Sequence, residues 1–272
     1  YSALAGKQAL AQSSYPEAAR HFRAALAARE GQQMDDEMAD VLMNLGTAAI
    51  SNADTREAWR SLSQAYRYYR ETGNVPCVFK VANEAGHNLL LIRPSQVQLI
   101  EDALTLIPEG TEEYGRLNAA LGMSLGMMGQ LDRSDAAYAR AEDVARALGS
   151  KRLEFDVLRS QQYVIGFQLR LDEAVAMGDR VIVLAQELSD PTAEAIALFF
   201  NAGQVWVGRL DEAQRHADAC RVLGERTRSP YGMASAASAQ APRKAGRSGA
   251  SPGALALGSG PSRWVNHFSQ AV

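Results

Sequence analysis

Aromatic side chains are scarce in this 272-residue chain, at 7% of residues against 47% hydrophobic residues in all. An apolar set dominated by alanine and leucine suits closely packed helices better than a sandwich or barrel. Cysteine is scarcer still: Cys77 and Cys220 stand far apart, with no CxxC pair. Neither a disulfide scaffold nor a zinc knuckle is supported, and a reducing cytoplasm is the expected setting. Long hydrophobic runs are missing too. The most apolar stretch, Ala195 to Val207, is interrupted by Asn201 and Gln204 and is too short to span a bilayer. No signal peptide is visible, and a chain opening on Tyr1 is expected to begin inside a longer protein. Acidic residues are absent after Glu225, where six of the 28 basic residues follow, leaving 22 against 31 acids, about −9, for residues 1–225. An acidic body therefore carries a basic tail.

What the chain does have is a period. Tyr15 to Leu26 reads as an amphipathic helix, with Ser14 as N-cap, Pro16 in the first turn and Glu17 placed for a capping box. Its small residue Ala18 has counterparts at Ala58, Ser134, Ala174 and Ala213, spaced by 40, 76, 40 and 39 residues. The 76 is two periods of 38, with a degenerate copy over Gln96 to Ala103. Six copies near 39 residues result. A further helical segment precedes each anchor by about twelve residues: Leu4–Gln12, Glu37–Ile50, Val78–Leu91, Glu113–Met128, Leu153–Leu169 and Ala193–Val207. Gly6, Gly46 and Gly122 each lie twelve before an anchor, where a missing side chain lets two helices approach. Breakers separate the units at Gly73-Asn74 with Pro76, Pro108 with Gly110, Gly149-Ser150, Asp190-Pro191 and Ser229-Pro230. The spacing predicts an all-α chain, an α-solenoid of about six helix-turn-helix repeats forming a right-handed superhelix over residues 1–239.

Leu45-Gly46, Ala58, Leu62 and Ala65 in copy two, with Leu121-Gly122, Tyr138 and Ala141 in copy four, resemble the tetratricopeptide family. The period departs from that family's 34 residues. The longer unit, with endings at 70–74, 146–150 and 186–191, is similar to the helical-repeat region of bacterial LuxR/MalT-type activators and ATPase-linked adenylate cyclases. The resemblance covers roughly residues 1–240. It implies a cytoplasmic, non-catalytic sensor or interaction segment of a signalling or transcription-regulatory protein, binding a protein, a peptide or neighbouring domains. The alternative it implies is a domain that binds a small-molecule inducer. No cofactor is implied.

From residue 240 the pattern stops. Residues 241–254 are a Pro/Gly/Ser/Ala/Arg tract that cannot pack as a helix. Residues 240–272 are read either as a disordered basic arm or as a truncated or out-of-frame end.

The candidate chemistry is thin. Glu84 and His87 fall in one segment, but HExxH needs a second histidine on the same helix face. His21, His216 and His267 lie in separate segments. Gly122, Gly126 and Gly129 lack the preceding strand of a dinucleotide loop and are expected to serve helix packing, and no GxxxxGK[ST] occurs. Met123, Met127 and Met128 are expected in the core. In Arg67-Tyr68-Tyr69-Arg70 the tyrosines are expected to pack between repeats and the arginines to be solvated. Lys80 with Asn83 is the nearest approach to a carboxylate clamp and is incomplete. The stronger signal is polar residues recurring on the first helix of each unit, the concave lining in the family resembled. They are Asp40, Asn44, Thr47, Asn83, His87, Arg116, Asn118, Arg159, Gln162, Tyr163, Asn201 and Gln204. Amides and a few charges in such a groove suit a peptide backbone or a small polar ligand.

Overall fold

The structure, a computed structural model, describes residues 1–88, 91–201 and 208–227. Twelve helices and no strand occur among the described residues. In order they are α1 (Ser2–Ala11), α2 (Tyr15–Ala27), α3 (Asp36–Ser51), α4 (Thr55–Glu71), α5 (Val75–Gly86) and α6 (Pro94–Leu104). There follow α7 (Glu112–Met127), α8 (Leu131–Leu148), α9 (Lys151–Phe167), α10 (Leu171–Glu187), α11 (Pro191–Asn201) and α12 (Leu210–Thr227). Odd-numbered helices open the six pairs and even-numbered ones close them. The fold is all-α, built from tetratricopeptide-like helical pairs. The chain divides between Gly149 and Ser150 into two compact units, the first carrying α1–α8 and the second α9–α12. The basic tail from residue 240 lies outside the described residues.

Local chemistry sets the helix starts. Side chains of Asp35, Asp54, Asn74, Thr111 and Ser150 each accept a backbone N–H from the third residue on, opening α3, α4, α5, α7 and α9. The expected capping box of α2 does not form. Ser14 precedes the helix, but its hydroxyl lies 3.5 Å from the Glu17 carboxylate, and Glu17 is drawn toward Arg20. At the end of α8, Gly149 takes the left-handed conformation (φ 60°) that a side chain would strain.

In the first unit, each glycine one register before an anchor faces a large side chain of its pair. A Cβ added to Gly6 would come within 2.6 Å of Phe22, one at Gly46 within 2.6 Å of Leu62, and one at Gly122 within 2.9 Å of Tyr138. Phe22 and Leu62 are wholly buried there. Each such apolar plug contributes about 2 kcal/mol by burial. The third pair departs from the pattern because α5 has 12 residues where α3 and α7 have 16. Gln96 occupies its anchor position. Its buried amide donates to the Ala85 carbonyl at 2.6 Å, which also accepts the Asn88 N–H at 3.3 Å, and accepts from Ser124 Oγ at 3.3 Å. Gly86 supplies the close contact instead, with Ile100 and Ala120 where a Cβ would be.

Second helices of consecutive pairs in this unit are tied by arginine–carboxylate bridges: Arg23–Glu57, Arg70–Asp102 and Arg133–Glu101. Arg70 grips Asp102 with both nitrogens (2.6 and 2.9 Å), and Tyr66 donates to the same carboxylate at 2.7 Å. Tyr69 packs in the core as expected, whereas Arg70 is engaged rather than merely solvated. Met123 is buried, and Met128 packs against the same core.

The second unit packs Phe155, Val181, Leu184 and Ala193 among α9, α10 and α11, and Leu198, Cys220 and Leu223 between α11 and α12. Arg152–Asp190 (2.6 Å) and Arg180–Glu154 (3.1 Å) brace its surface.

Candidate functional site

The polar residues of the first helices fall into two strips, one in each unit. In the first unit, Asp40, Asn44 and Thr47 follow one another along α3. Asp40 pairs with Lys7 of α1 at 2.6 Å. Asn44 Nδ2 donates to the Asp40 carbonyl at 2.7 Å, and Thr47 Oγ1 to the Met43 carbonyl at 3.4 Å. Such back-bonds to the previous turn hold short polar side chains against their own helix. Facing Thr47 from α5 is Glu84. Burial pushes its carboxyl above the ordinary carboxylate range, and a hydrogen bond with Thr47 opposes this in part.

Beside it, Asn83 Oδ1 is buried and has no hydrogen-bond partner among the described residues. His87 caps α5, with Nδ1 3.1 Å from the Asn83 carbonyl. On α7, Arg116 pairs with Glu112 at 2.9 Å. Asn118 is wholly buried: it donates to the Tyr114 carbonyl and accepts from Arg140 Nε, both at 2.9 Å. It braces α7 to α8 and presents nothing to a groove.

In the second unit, Arg159, Gln162 and Tyr163 lie on α9. Arg159 is partly buried and makes no hydrogen bond or ion pair among the described residues. Tyr163 packs on Phe167 of its own helix (ring centroids 5.0 Å apart) and edge-on against Phe200 of α11 (5.3 Å). Gln162 and Asn201 are buried, and Gln162 Nε2 donates to Asn201 Oδ1 at 2.6 Å. Asn201 Nδ2 in turn lies 3.4 Å from Asp179. A Cβ on Gly178 of α10 would fall 1.8 Å from Asn201 Oδ1 and 2.3 Å from Gln162 Nε2. The two amides thus run between helices instead of lining an open surface, and Gln162 Oε1 is left buried without a partner. Gln204 lies outside the described residues.

The structure brings Thr47 together with Glu84, and Arg159 and Tyr163 onto one face of α9, while Asn118, Gln162 and Asn201 are withdrawn into the packing. Glu84, Phe167 and Phe200 join the strips without having been expected there. Their signal is spacing: Glu84 lies four residues after Lys80, and Phe167 four after Tyr163, so each pair shares a helix face. His21 contacts Glu17 of its own helix at 3.6 Å, and no cluster of three or more histidine, cysteine or acidic residues that could hold a metal occurs among the described residues. An open cleft of about 400 Å³ between α11 and α12, lined by Glu194, Leu198, Asp218 and Val222, contains none of the expected residues. None of the described helices is long and apolar enough to cross a membrane.

Short helix pairs repeated along the chain, with a small residue of one helix against a large one of the next, make this a tetratricopeptide-like repeat fold. Solved structures with the same fold include a Rap protein complexed with competence and sporulation factor: TM-score 0.62, 14% identity, covering 100% of this chain and 75% of that one. Another is a signal transduction ATPase with numerous domains bearing a tetratricopeptide repeat sensor, from Pyrococcus horikoshii: TM-score 0.54, 15% identity, covering 99% of this chain and 40% of that one. A third is BtubC from P. vanneervenii: TM-score 0.51, 14% identity, covering 79% of this chain and 90% of that one. No protein-family model and no curated protein matches the chain in sequence.

Proposed function

We propose that the chain is a non-catalytic sensor or interaction segment of a larger cytoplasmic regulator, and that its first helices hold a polypeptide. The observation that carries this reading is unmet hydrogen-bonding capacity along those helices. Among the described residues, Asn83 Oδ1 and Gln162 Oε1 have no donor and Arg159 has no acceptor. Groups left unmet in the free chain are worth most when a ligand meets them. The fold neighbours support the same reading, since one is complexed with a factor and another carries its repeats as a sensor. The long repeat unit, similar to that of LuxR/MalT-type regulators, supports a parent that couples binding to an ATPase or transcriptional output. The separate α11–α12 cleft contains none of these groups, so a polypeptide lying along the helices fits better than an enclosed inducer.

Selection of random peptides displayed with free carboxy-termini, and of a second library with free amino-termini, tests the reading. Peptides that bind the full chain and are lost on joint replacement of Asn44 and Asn83 by alanine, or on Tyr163→Ala, are expected from at least one library. Failure of both libraries to yield a binder overturns it.

A further inference from the structure

We infer that the α9–α11 face of the second unit is a subsite for the free carboxy-terminus of a peptide ending in an aromatic residue. The inference rests on the polypeptide-binding reading above and gives it an end and a polarity. Arg159 is the only group on this face with a full charge and nothing to neutralise it among the described residues. The acid one turn earlier, Asp156, is 3.6 Å from Arg152. A partly buried guanidinium is a planar donor fork shaped for a carboxylate, and a peptide's terminal carboxylate is ionised at neutral pH.

Residues three or four apart are neighbours on a helix surface. Arg159 and Tyr163, four apart, therefore stand as neighbours on α9, a charged donor beside an aromatic ring. Tyr163, one turn beyond Arg159, begins an aromatic wall with Phe167 and Phe200, and Phe167 remains 53% exposed. An aromatic side chain laid on this wall covers apolar surface that the free chain leaves in water.

The wall is braced from behind, where Gly178 leaves the room that the Gln162–Asn201 pair fills between α9, α10 and α11.

The probes are N-acetyl-L-phenylalanine and its carboxamide, titrated against the full chain by NMR at neutral pH and low salt. The free acid is expected to bind saturably, at least tenfold more tightly than the amide, and to shift resonances of α9 and α11. Arg159→Gln is expected to remove that preference while leaving the melting temperature unchanged, since Arg159 has no partner to lose; Arg159→Lys should restore part of it. Equal binding of acid and amide, an acid preference that survives in R159Q, or no binding of either compound overturns the subsite. Peptides recovered from the libraries above would in those cases leave the broader reading standing.

Discussion

The first and second units use one register to opposite ends. In the first, glycine on the opening helix faces a large side chain sixteen residues later: Gly6 with Phe22, Gly46 with Leu62, Gly122 with Tyr138. In the second, the same two positions hold Gln162 with Gly178, and Asn201 with the buried Ala217. Small and large have changed sides, and the large partner is now an amide. The helix pairs still form, because what the register demands is one small and one large partner, whichever helix supplies each. What changes is the chemistry of the seam. An apolar plug fills volume without direction, whereas the Gln162–Asn201 bond at 2.6 Å fixes which atoms meet.

The comparison breaks most visibly when a plug is removed. Phe22→Ala leaves a cavity opposite Gly6 and should cost about 4 kcal/mol in the first unit, read as an earlier thermal transition with amide exchange accelerated in α1–α3. The helices α9–α12 should keep their protection. If α9–α12 lose protection to the same extent, a local role for the Phe22 plug is refuted.

Inverting the second seam is the next largest test. Gly178→Leu drives a side chain into Asn201 and should cost about 3 kcal/mol in α9–α12. Adding Gln162→Gly and Asn201→Ala, which rebuilds the glycine-and-plug arrangement of the first unit, should recover at least half of that loss by chemical denaturation. A triple variant no more stable than the single one would show that the seam is not a swap of sides.

A smaller effect sharpens the exception within the first unit. Gln96→Ala removes the buried amide's bonds to the Ala85 carbonyl and Ser124 Oγ, each of which keeps a second partner, and should cost about 1 kcal/mol. The same helix end closed by an ordinary small anchor, as at Ala18 or Ala58, has no such dependence. Gln96→Ser should not restore stability, because its hydroxyl is too short to reach the Ala85 carbonyl.

These elements also show what could be read from the sequence. The six pairs were legible, because the anchors Ala18, Ala58, Ser134, Ala174 and Ala213 are buried small residues recurring at a nearly constant interval. Glycine at Gly6, Gly46 and Gly122 was legible as close packing. The destination of the polar first-helix residues was not. Asn118 and Asn201 look like Asn44 in sequence, yet Arg140 and Gln162 draw them inward, and those partners lie 22 and 39 residues away. Spacing within a helix gives the face a residue occupies. It does not give the partner that the next helix brings, which decides between lining and core. The register shared by Gln162 and Gly178, and by Asn201 and Ala217, carried the missing information, since an amide at a glycine position needs a small residue opposite.

The smallest effect is electrostatic and separates the inner strip of the first unit from its outer surface. Glu84 is held above the ordinary carboxylate range by burial, so between the unfolded and folded values the native state carries the extra proton. Stability from this group therefore falls as pH rises through that interval and is flat beyond it. Asp102 behaves oppositely. Its bonds from Arg70 and Tyr66 hold it below the ordinary range despite partial burial, so its contribution is present at neutral pH and is lost as pH falls through the folded value. The two groups bend the pH–stability curve of one unit in opposite senses. Glu84→Gln should raise stability at pH 7 and flatten the curve just above the ordinary carboxylate range. Asp102→Asn should lower stability at pH 7 and flatten the acid limb. A Glu84→Gln profile parallel to that of the parent protein across the mildly acidic range would mean that the carboxylate finds a cation in solution, and the strip would then lose its distinction from the bridged outer face.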